Sequence, residues 1–405
     1  LNLFSSPSNV YPQIVAKQTT KQRIPRVANS CLQATGNITP HKAAPQFGCL
    51  GPSALREMDE IILRNPASPA LTNIDLDAHF RKPIEAIVTK TMTLLRTPEY
   101  DVHTIKLKTP FAKGIRPGQH IYVAPKDLSF ENPDQGYRRY SLAGVNRSEE
   151  EVKLVYREIK NGIVSKNVMS KARPGDRINI QGPHWNGFVL PPRSADMLAF
   201  AAGIANIAPM HCLLKTRLKL QEGPIGETHL FSTYHSPQHE VPLGKEKLGR
   251  LVSETNGEFK HSTTYSVDDK RTPEQVDQEL RHILKLSDKQ SVDHALQKIL
   301  KLDAPLPQGE KVRVLRAVNH IGKDSGERKK ALDILFRPNA YVYICGILDV
   351  EQTIRHAFKV IGHEAGRLND THALIDKMQE PNVNRWRFEG VRMVDRETKP
   401  KESKL

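Results

Sequence analysis

Between residues 102 and 180 the chain alternates apolar and polar positions in short runs. Val102-His103-Thr104-Ile105-Lys106-Leu107, Gln119-His120-Ile121-Tyr122-Val123-Ala124 and Val152-Lys153-Leu154-Val155-Tyr156 place β-branched or aromatic side chains at or near every second position. That is the period of a half-buried strand. Arg116-Pro117-Gly118 and Arg173-Pro174-Gly175-Asp176 punctuate the runs as turns, because proline presets φ and the glycine after it tolerates a positive φ. Arg177-Ile178-Asn179-Ile180-Gln181-Gly182-Pro183 then leads into Trp185-Asn186-Gly187-Phe188. Short strands and tight turns at this density predict a small antiparallel β-barrel.

The pattern changes after residue 193. Asp196-Met197-Leu198-Ala199-Phe200-Ala201-Ala202-Gly203 is an apolar strand ending in small residues, and a helix starts at Ile204 and continues through Lys215. Ala340-Tyr341-Val342-Tyr343-Ile344-Cys345-Gly346 repeats the strand, followed by a helical stretch from Val350 to Ile361. Strand, tight turn and helix, repeated, predict a doubly wound α/β nucleotide-binding domain. Between the two motifs, about 251–337 is longer and more charged than one β-α-β step requires. Two amphipathic helices are expected there. One has apolar residues at 276, 280, 283 and 284, the other at 292, 295, 296, 299 and 300. Thr272 and Ser287-Asp288 are the candidate caps. Such a helical insertion could be a lid, or a docking surface for another protein, and docking is the expectation carried forward.

The candidate chemistry sits in the barrel. Arg138-Arg139-Tyr140-Ser141 is followed by Gly162-Ile163-Val164-Ser165. An arginine can hold a phosphate as a bidentate charge-assisted pair. A tyrosine offers a flat face to an isoalloxazine ring, and the next serine a hydroxyl to the ring's redox-active edge. Gly162 is expected to open a helix over 163–172 whose free amides face the flavin phosphate. The alternative is a barrel with no ligand, in which Tyr140 is core and Arg138 a solvated charge.

With that cradle upstream of the α/β pattern, residues about 80–390 resemble the ferredoxin-NADP reductase family, in its flavohaemoglobin-type and oxygenase-reductase branches. The resemblance implies a flavin barrel followed by a nicotinamide domain, moving a hydride from NAD(P)H to FAD or FMN and electrons onward to a separate acceptor. It implies that Arg138, Tyr140, Ser141, Gly162 and Ser165 hold the flavin. It also implies that Gly203, Pro209, Cys345 and Gly346 line the nicotinamide site, with Ser141 and Cys345 beside the chemistry. Three positions depart from the family's Gly-x-Gly-x-Thr-Pro loop and Cys-Gly-Pro ending: Ala205, Ala208 and Ile347. A Cβ at 205 obstructs backbone approach to a pyrophosphate, and an alanine at 208 lacks the threonine's donor. At ~1–2 kcal/mol for each of these two alanines, they would cost about one to three decades of affinity. Cys345 reads equally well as a small buried strand residue.

Composition bounds the rest. The four cysteines, Cys31, Cys49, Cys212 and Cys345, have no clustered spacing, which argues against an iron–sulfur cluster or structural zinc. No stretch approaches the ~18 apolar residues of a membrane span, leaving only peripheral membrane association. The formal net charge of +15 points to an acidic partner such as an electron carrier or anionic headgroups, or to a solvated basic surface. No basic helix with interleaved aromatics suggests nucleic acid. Before Glu57 there is no acid, while Lys17, Lys21, Arg23, Arg26, Lys42 and Arg56 are basic. That composition resembles a mitochondrial presequence region, and its sparse apolar content is that of a segment ordered by wrapping a partner. Ser403-Lys404-Leu405 matches a peroxisomal address as the competing localisation. The expected organisation is a basic extension (1–75), a flavin barrel (76–192), an NAD(P)-binding-like domain (193–390) and a tail (391–405). Two functions fit: a working flavoprotein reductase, or a catalytically impaired reductase fold kept as an accessory subunit of a mitochondrial assembly. In the second, residues 1–75 and the insertion make the contacts.

Overall fold

The computed structural model describes residues 83–391, apart from 114, 116–117, 126–137, 185–189, 221–222, 241–242, 256, 268–269, 381–382 and 384. The extension 1–75, the Trp185–Phe188 stretch, and Ser403-Lys404-Leu405 therefore lie outside the described residues.

Six strands close an antiparallel barrel: β1 (Ile84–Arg96), β2 (Asp101–Lys108), β3 (His120–Ala124), β4 (Arg138–Asn146), β5 (Glu151–Arg157) and β6 (Arg177–His184). Their order around the barrel is β1-β2-β5-β4-β3-β6. Closure leaves no free sheet edge to template aggregation. The alternation seen in the sequence fills the interior with Ile105, Leu107, Ile121, Val123, Leu142, Leu154 and Ile180, all fully buried.

The second domain is a five-stranded parallel sheet in the order β11-β10-β7-β8-β9. Its strands are β7 (Asp196–Ala202), β8 (Thr228–Tyr234), β9 (Phe259–Tyr265), β10 (Ala340–Ile347) and β11 (Trp386–Val391). The helices are α1 (Ile204–Leu220), α2 (Pro237–Glu240), α3 (Gly249–Glu254), α4 (Pro273–Ile283), α5 (Val292–Leu300), α6 (Gln308–Ile321), α7 (Ser325–Leu335), α8 (Leu348–Glu364) and α9 (Leu368–Gln379). Alternate residues of each central strand serve two cores. Leu198, Phe200, Val342 and Ile344 pack with α4 to α9, whereas Met197, Ala199, Ala201, Tyr343 and Cys345 pack with α1 and α3. Val102 and Val155 of the barrel join the second cluster. Thus α1 lies between the sheet and barrel strands β4 and β5. The chain order reverses between β7 and β10, which is where doubly wound sheets bind ligands.

Two expectations for 251–337 are corrected. The stretch contains β9, the edge strand of the sheet, so it is not a pure insertion. Its amphipathic helices also do not present a free apolar face. Val276, Leu280, Ile283, Leu284, Val292, Leu296, Ile299 and Leu300 are all buried in the sheet's own core, because an uncovered sheet face demands that area. Thr272 caps α4 through a reciprocal capping box with Gln275. The cap of α5 is Ser291, four residues beyond the expected Ser287-Asp288. Ser287 is committed to a turn instead, with its hydroxyl and amide both donating to the Gln290 side chain.

Candidate functional site

Antiparallel pairing decides which way the cradle residues of β4 face. Arg138 lies opposite Val123 and Tyr140 opposite Ile121, both interior residues. Arg139 lies opposite Tyr122, and Ser141 opposite His120. Directly paired residues share a face, so Arg138 and Tyr140 are on one face of the wall and Arg139 and Ser141 on the other. The four expected neighbours are thus split by the pleat.

Tyr140 is half-buried and meets Tyr156 edge-on, with ring centroids 6.1 Å apart at 78°. From there a polar path runs to the second motif. The Tyr156 hydroxyl lies 3.4 Å from Ser170 Oγ, and Ser170 Oγ donates to the Ser165 carbonyl at 2.7 Å. Ser165 is buried, and its Oγ accepts from the Ile159 amide at 3.1 Å, which leaves its own proton to donate. Burial raises the Tyr156 phenol to about 12 and lifts that of Tyr140 as well, so both stay protonated at neutral pH. Sequence reasoning placed Tyr156 in a strand but missed its part here, and it missed Ser170 entirely. No linear motif marks either one.

Gly162 is required by crowding: a Cβ there would collide with Ser165 Oγ and sit 3.0 Å from the Ile159 carbonyl oxygen. Its amide donates to Ile159 at 2.7 Å, closing a turn. The expected helix over 163–172 is corrected. The helical segment is five residues of wide π geometry, Ser165–Met169, which is too short to aim a set of free amides at a phosphate.

Beside Ser141 stands a histidine pair. His120 stacks on His184 with centroids 5.5 Å apart, and Tyr122 packs edge-on to both. Burial first, then the Arg139 charge, hold His120 down to about 3. Its Nδ1 is buried with no hydrogen-bond partner among the described residues. Tyr140 with Tyr156, the Arg138 guanidinium on the same face as Tyr140, and the Ser165 hydroxyl at the Gly162 turn are groups that fit a flavin. Bound there, a flavin supplies a group that accepts a hydride and releases single electrons.

At the carboxyl ends of β7 and β10 the structure brings Gly203, Cys345 and Gly346 together, since Cys345 pairs with Ala201. Gly203 adopts φ +80° with open space where a Cβ would be, so conformation rather than crowding calls for glycine. Its amide donates to the Thr233 carbonyl at 2.8 Å, and its carbonyl accepts from Asn206 and Ile207 at 3.0 Å each. Gly346 is glycine for a different reason, because a Cβ would come within 3.0 Å of Val350 on α8. Pro209 is buried inside α1, away from the strand ends. Cys345 is 3% exposed and packs in the α1-side core, the position of a small core residue. Ile347 is 40% exposed and precedes α8.

Residues 96–187 match the oxidoreductase FAD-binding domain family. Two curated relatives, both called NADH-cytochrome b5 reductase 1, from two strains of Cryptococcus neoformans var. neoformans serotype D, are 30% identical over 146 residues. That is 36% of this chain and 47% of each relative, so the chain spans about half the length of the curated relatives it matches. Among solved structures, ferredoxin-NADP+ reductase from Plasmodium falciparum is 13% identical with a TM-score of 0.48, covering 77% of this chain and 97% of that one. An Amycolatopsis cytochrome P450 reductase is 15% identical with a TM-score of 0.44, over 76% and 69%. The matched segment, residues 96–187, makes the barrel a flavin-binding domain of the oxidoreductase FAD-binding type.

Proposed function

We propose that this chain is a flavoprotein reductase that takes a hydride from a reduced nicotinamide nucleotide onto flavin and passes electrons singly to a separate acceptor. The observation that carries this reading is the shared helix. α1 begins at the strand-end Gly203 and packs on β4 and β5, the strands that hold Tyr140 and Tyr156. One helix thus joins the strand-end loop to the barrel strands, which supports a nucleotide site set against a flavin site, as direct hydride transfer requires. The relatives named for cytochrome b5 reduction support the same class of reaction, with a small one-electron protein as acceptor.

A second reading has its own observation. The loop from Gly203 to Pro209 holds Ala205 and Ala208 and no second glycine, and Cys345 is buried in the core. These favour a flavin-holding accessory subunit that reacts slowly or not at all with dinucleotide. Under either reading the acid-free segment before Glu57 directs the protein to mitochondria, and under the accessory reading residues 1–75 contact other subunits. One measurement separates the readings: the visible absorbance of purified full-length protein before and after anaerobic NADH or NADPH. Bleaching of a flavin spectrum is expected for a reductase. A yellow protein that neither nucleotide bleaches supports the accessory subunit, and a colourless one overturns both.

A further inference from the structure

Cross-strand pairing sets three lysines side by side on the barrel wall. Lys90 of β1 lies opposite Lys106 of β2, and Lys106 lies opposite Lys153 of β5. Directly paired residues share a face. Their alternating neighbours Ile105, Leu107 and Leu154 fill the interior, so the row faces outward. Like charges directly opposite one another are destabilising. Glu151 relieves only the middle lysine, accepting from Lys106 Nζ at 2.8 Å. Beyond Lys153 the row ends at Gly144 of β4, which brings no charge.

The charge continues onto α1. His211, Lys215 and Lys219 recur at helical spacing along it, and Lys247 approaches from the short helical turn Gly244–Leu248. The barrel row and the helix form one cluster. Burial first, then chiefly the Lys247 and Lys106 charges and more weakly Lys90, hold the Lys153 ammonium below the usual lysine range. Burial first, then Lys247, Lys215, Lys153 and Lys219, hold His211 to about 4. Lys219 pairs with Glu254. Among the described residues, Lys90, Lys153, Lys215 and Lys247 have no carboxylate partner.

Two observations select the partner. Apart from Arg147, which donates to the Ile115 carbonyl at 3.1 Å, the cations of the cluster are lysines. Lysine is depleted and arginine enriched where proteins meet, and an ammonium on a flexible stem is a point charge suited to a diffuse anionic surface. Protruding apolar side chains also stand in the same wall. Ile87 pairs with Lys108 and Met92 with Thr104, so they flank Lys90 on the outward face. They are 42% and 46% exposed. Lysines around apolar tips combine the two attractions, electrostatic and hydrophobic, that hold a protein on an anionic membrane. Lys153 and Tyr156 are three residues apart on β5 and so face opposite ways, which separates this wall from the flavin tyrosines. We propose that the outer wall of β1, β2 and β5, together with the adjoining side of α1, is a docking face for an anionic lipid bilayer. The proposal rests on this charge and pairing, not on hydride transfer.

The test is co-sedimentation of the full-length protein with vesicles of phosphatidylcholine alone and of three parts phosphatidylcholine to one part phosphatidylglycerol. The protein should bind the anionic vesicles and leave the neutral ones. The double variants K90Q/K153Q and K215Q/K247Q should each lose about twenty-five-fold in affinity, at about five-fold for each lysine. K298Q/K330Q removes the same charge from exposed lysines of α5 and α7, across the parallel sheet, and should lose far less. M92S should weaken vesicle binding with no change of charge. K153Q should also raise the urea midpoint, because the row loses a repulsion, so its weaker binding is not damage to the fold. Vesicle binding that the first two variants weaken no more than K298Q/K330Q does, or no vesicle binding at all, overturns the face. Lysine-dependent binding of a polyglutamate peptide without any binding of vesicles overturns the bilayer in favour of an acidic protein.

Discussion

Ala205 and Ala208 are three residues apart on α1, yet the structure gives them different surroundings. Ala205 is half-buried in the first turn beside Gly203, whereas Ala208 is 1% exposed in the core between α1 and the sheet. Replacing Ala205 with glycine removes a Cβ near the strand ends and should tighten dinucleotide binding about ten-fold. Replacing Ala208 with threonine instead forces a methyl and a hydroxyl into close-packed space, at ~1–3 kcal/mol of stability. Dinucleotide titration and urea unfolding of the two single variants check the pair. Equal affinity for Ala205→Gly and the parent would show that the loop departure is harmless. The sequence alone made the two alanines look like one defect, because it carries no information about which side of a helix is sealed. The same limit applied to the flavin motif. Arg138, Tyr140 and Ser141 are consecutive enough to look like one surface, and only the register against β3 shows the pleat dividing them.

Elements with a strong period were legible in advance, and those defined by distant partners were not. β2, β5 and β7 have runs of regular alternation or unbroken apolar content, and both amphipathic helices were visible from their stripes. The destination of those stripes was not visible, since an apolar face looks the same whether it covers its own sheet or a partner. The parallel sheet's face settles it here. That face is closed by α4 to α9, and the layer is tied by Arg328 of α7, which grips Glu364 of α8 through two 2.7 Å hydrogen bonds. The two side chains are 6% and 8% exposed. Breaking such a pair leaves a buried charge uncompensated and costs ~3–5 kcal/mol. Glu364→Gln should lose stability of that order in urea unfolding. The double variant Arg328→Met with Glu364→Leu should recover most of it, because no charge is then stranded. A double variant as unstable as the single would show that packing, not the stranded charge, dominates.

For the whole molecule, four buried or half-buried histidines set the response to acid. Burial is the largest cause in each case. It holds His120 to about 3 and His211, His320 and His356 to about 4. The charges facing them are mostly cations: Arg139 near His120, Lys247, Lys215, Lys153 and Lys219 near His211, and Lys359 and Arg355 near His356. His320 has the Ser262 carbonyl and His261 instead. A histidine depressed in the fold contributes stability that is complete above its unfolded value, near 6.5. That contribution is lost as pH falls toward the folded value, because the unfolded chain binds the proton first. Each group gives a slope of at most about 1.4 kcal/mol per pH unit. Four acting together would consume a typical ~5–15 kcal/mol of stability within two or three units. Glu151, held down chiefly by hydrogen bonds from Lys106 and Thr89, adds its loss only near and below the carboxylate range. The protein should therefore unfold between about pH 6 and 4.5, earlier than carboxylate titration alone would cause. Circular dichroism against pH reads the midpoint. His356→Gln should move it down by removing one of the four proton-linked losses without adding a charge. A midpoint below pH 4, or one unmoved by that substitution, would mean that buried histidines do not govern acid stability.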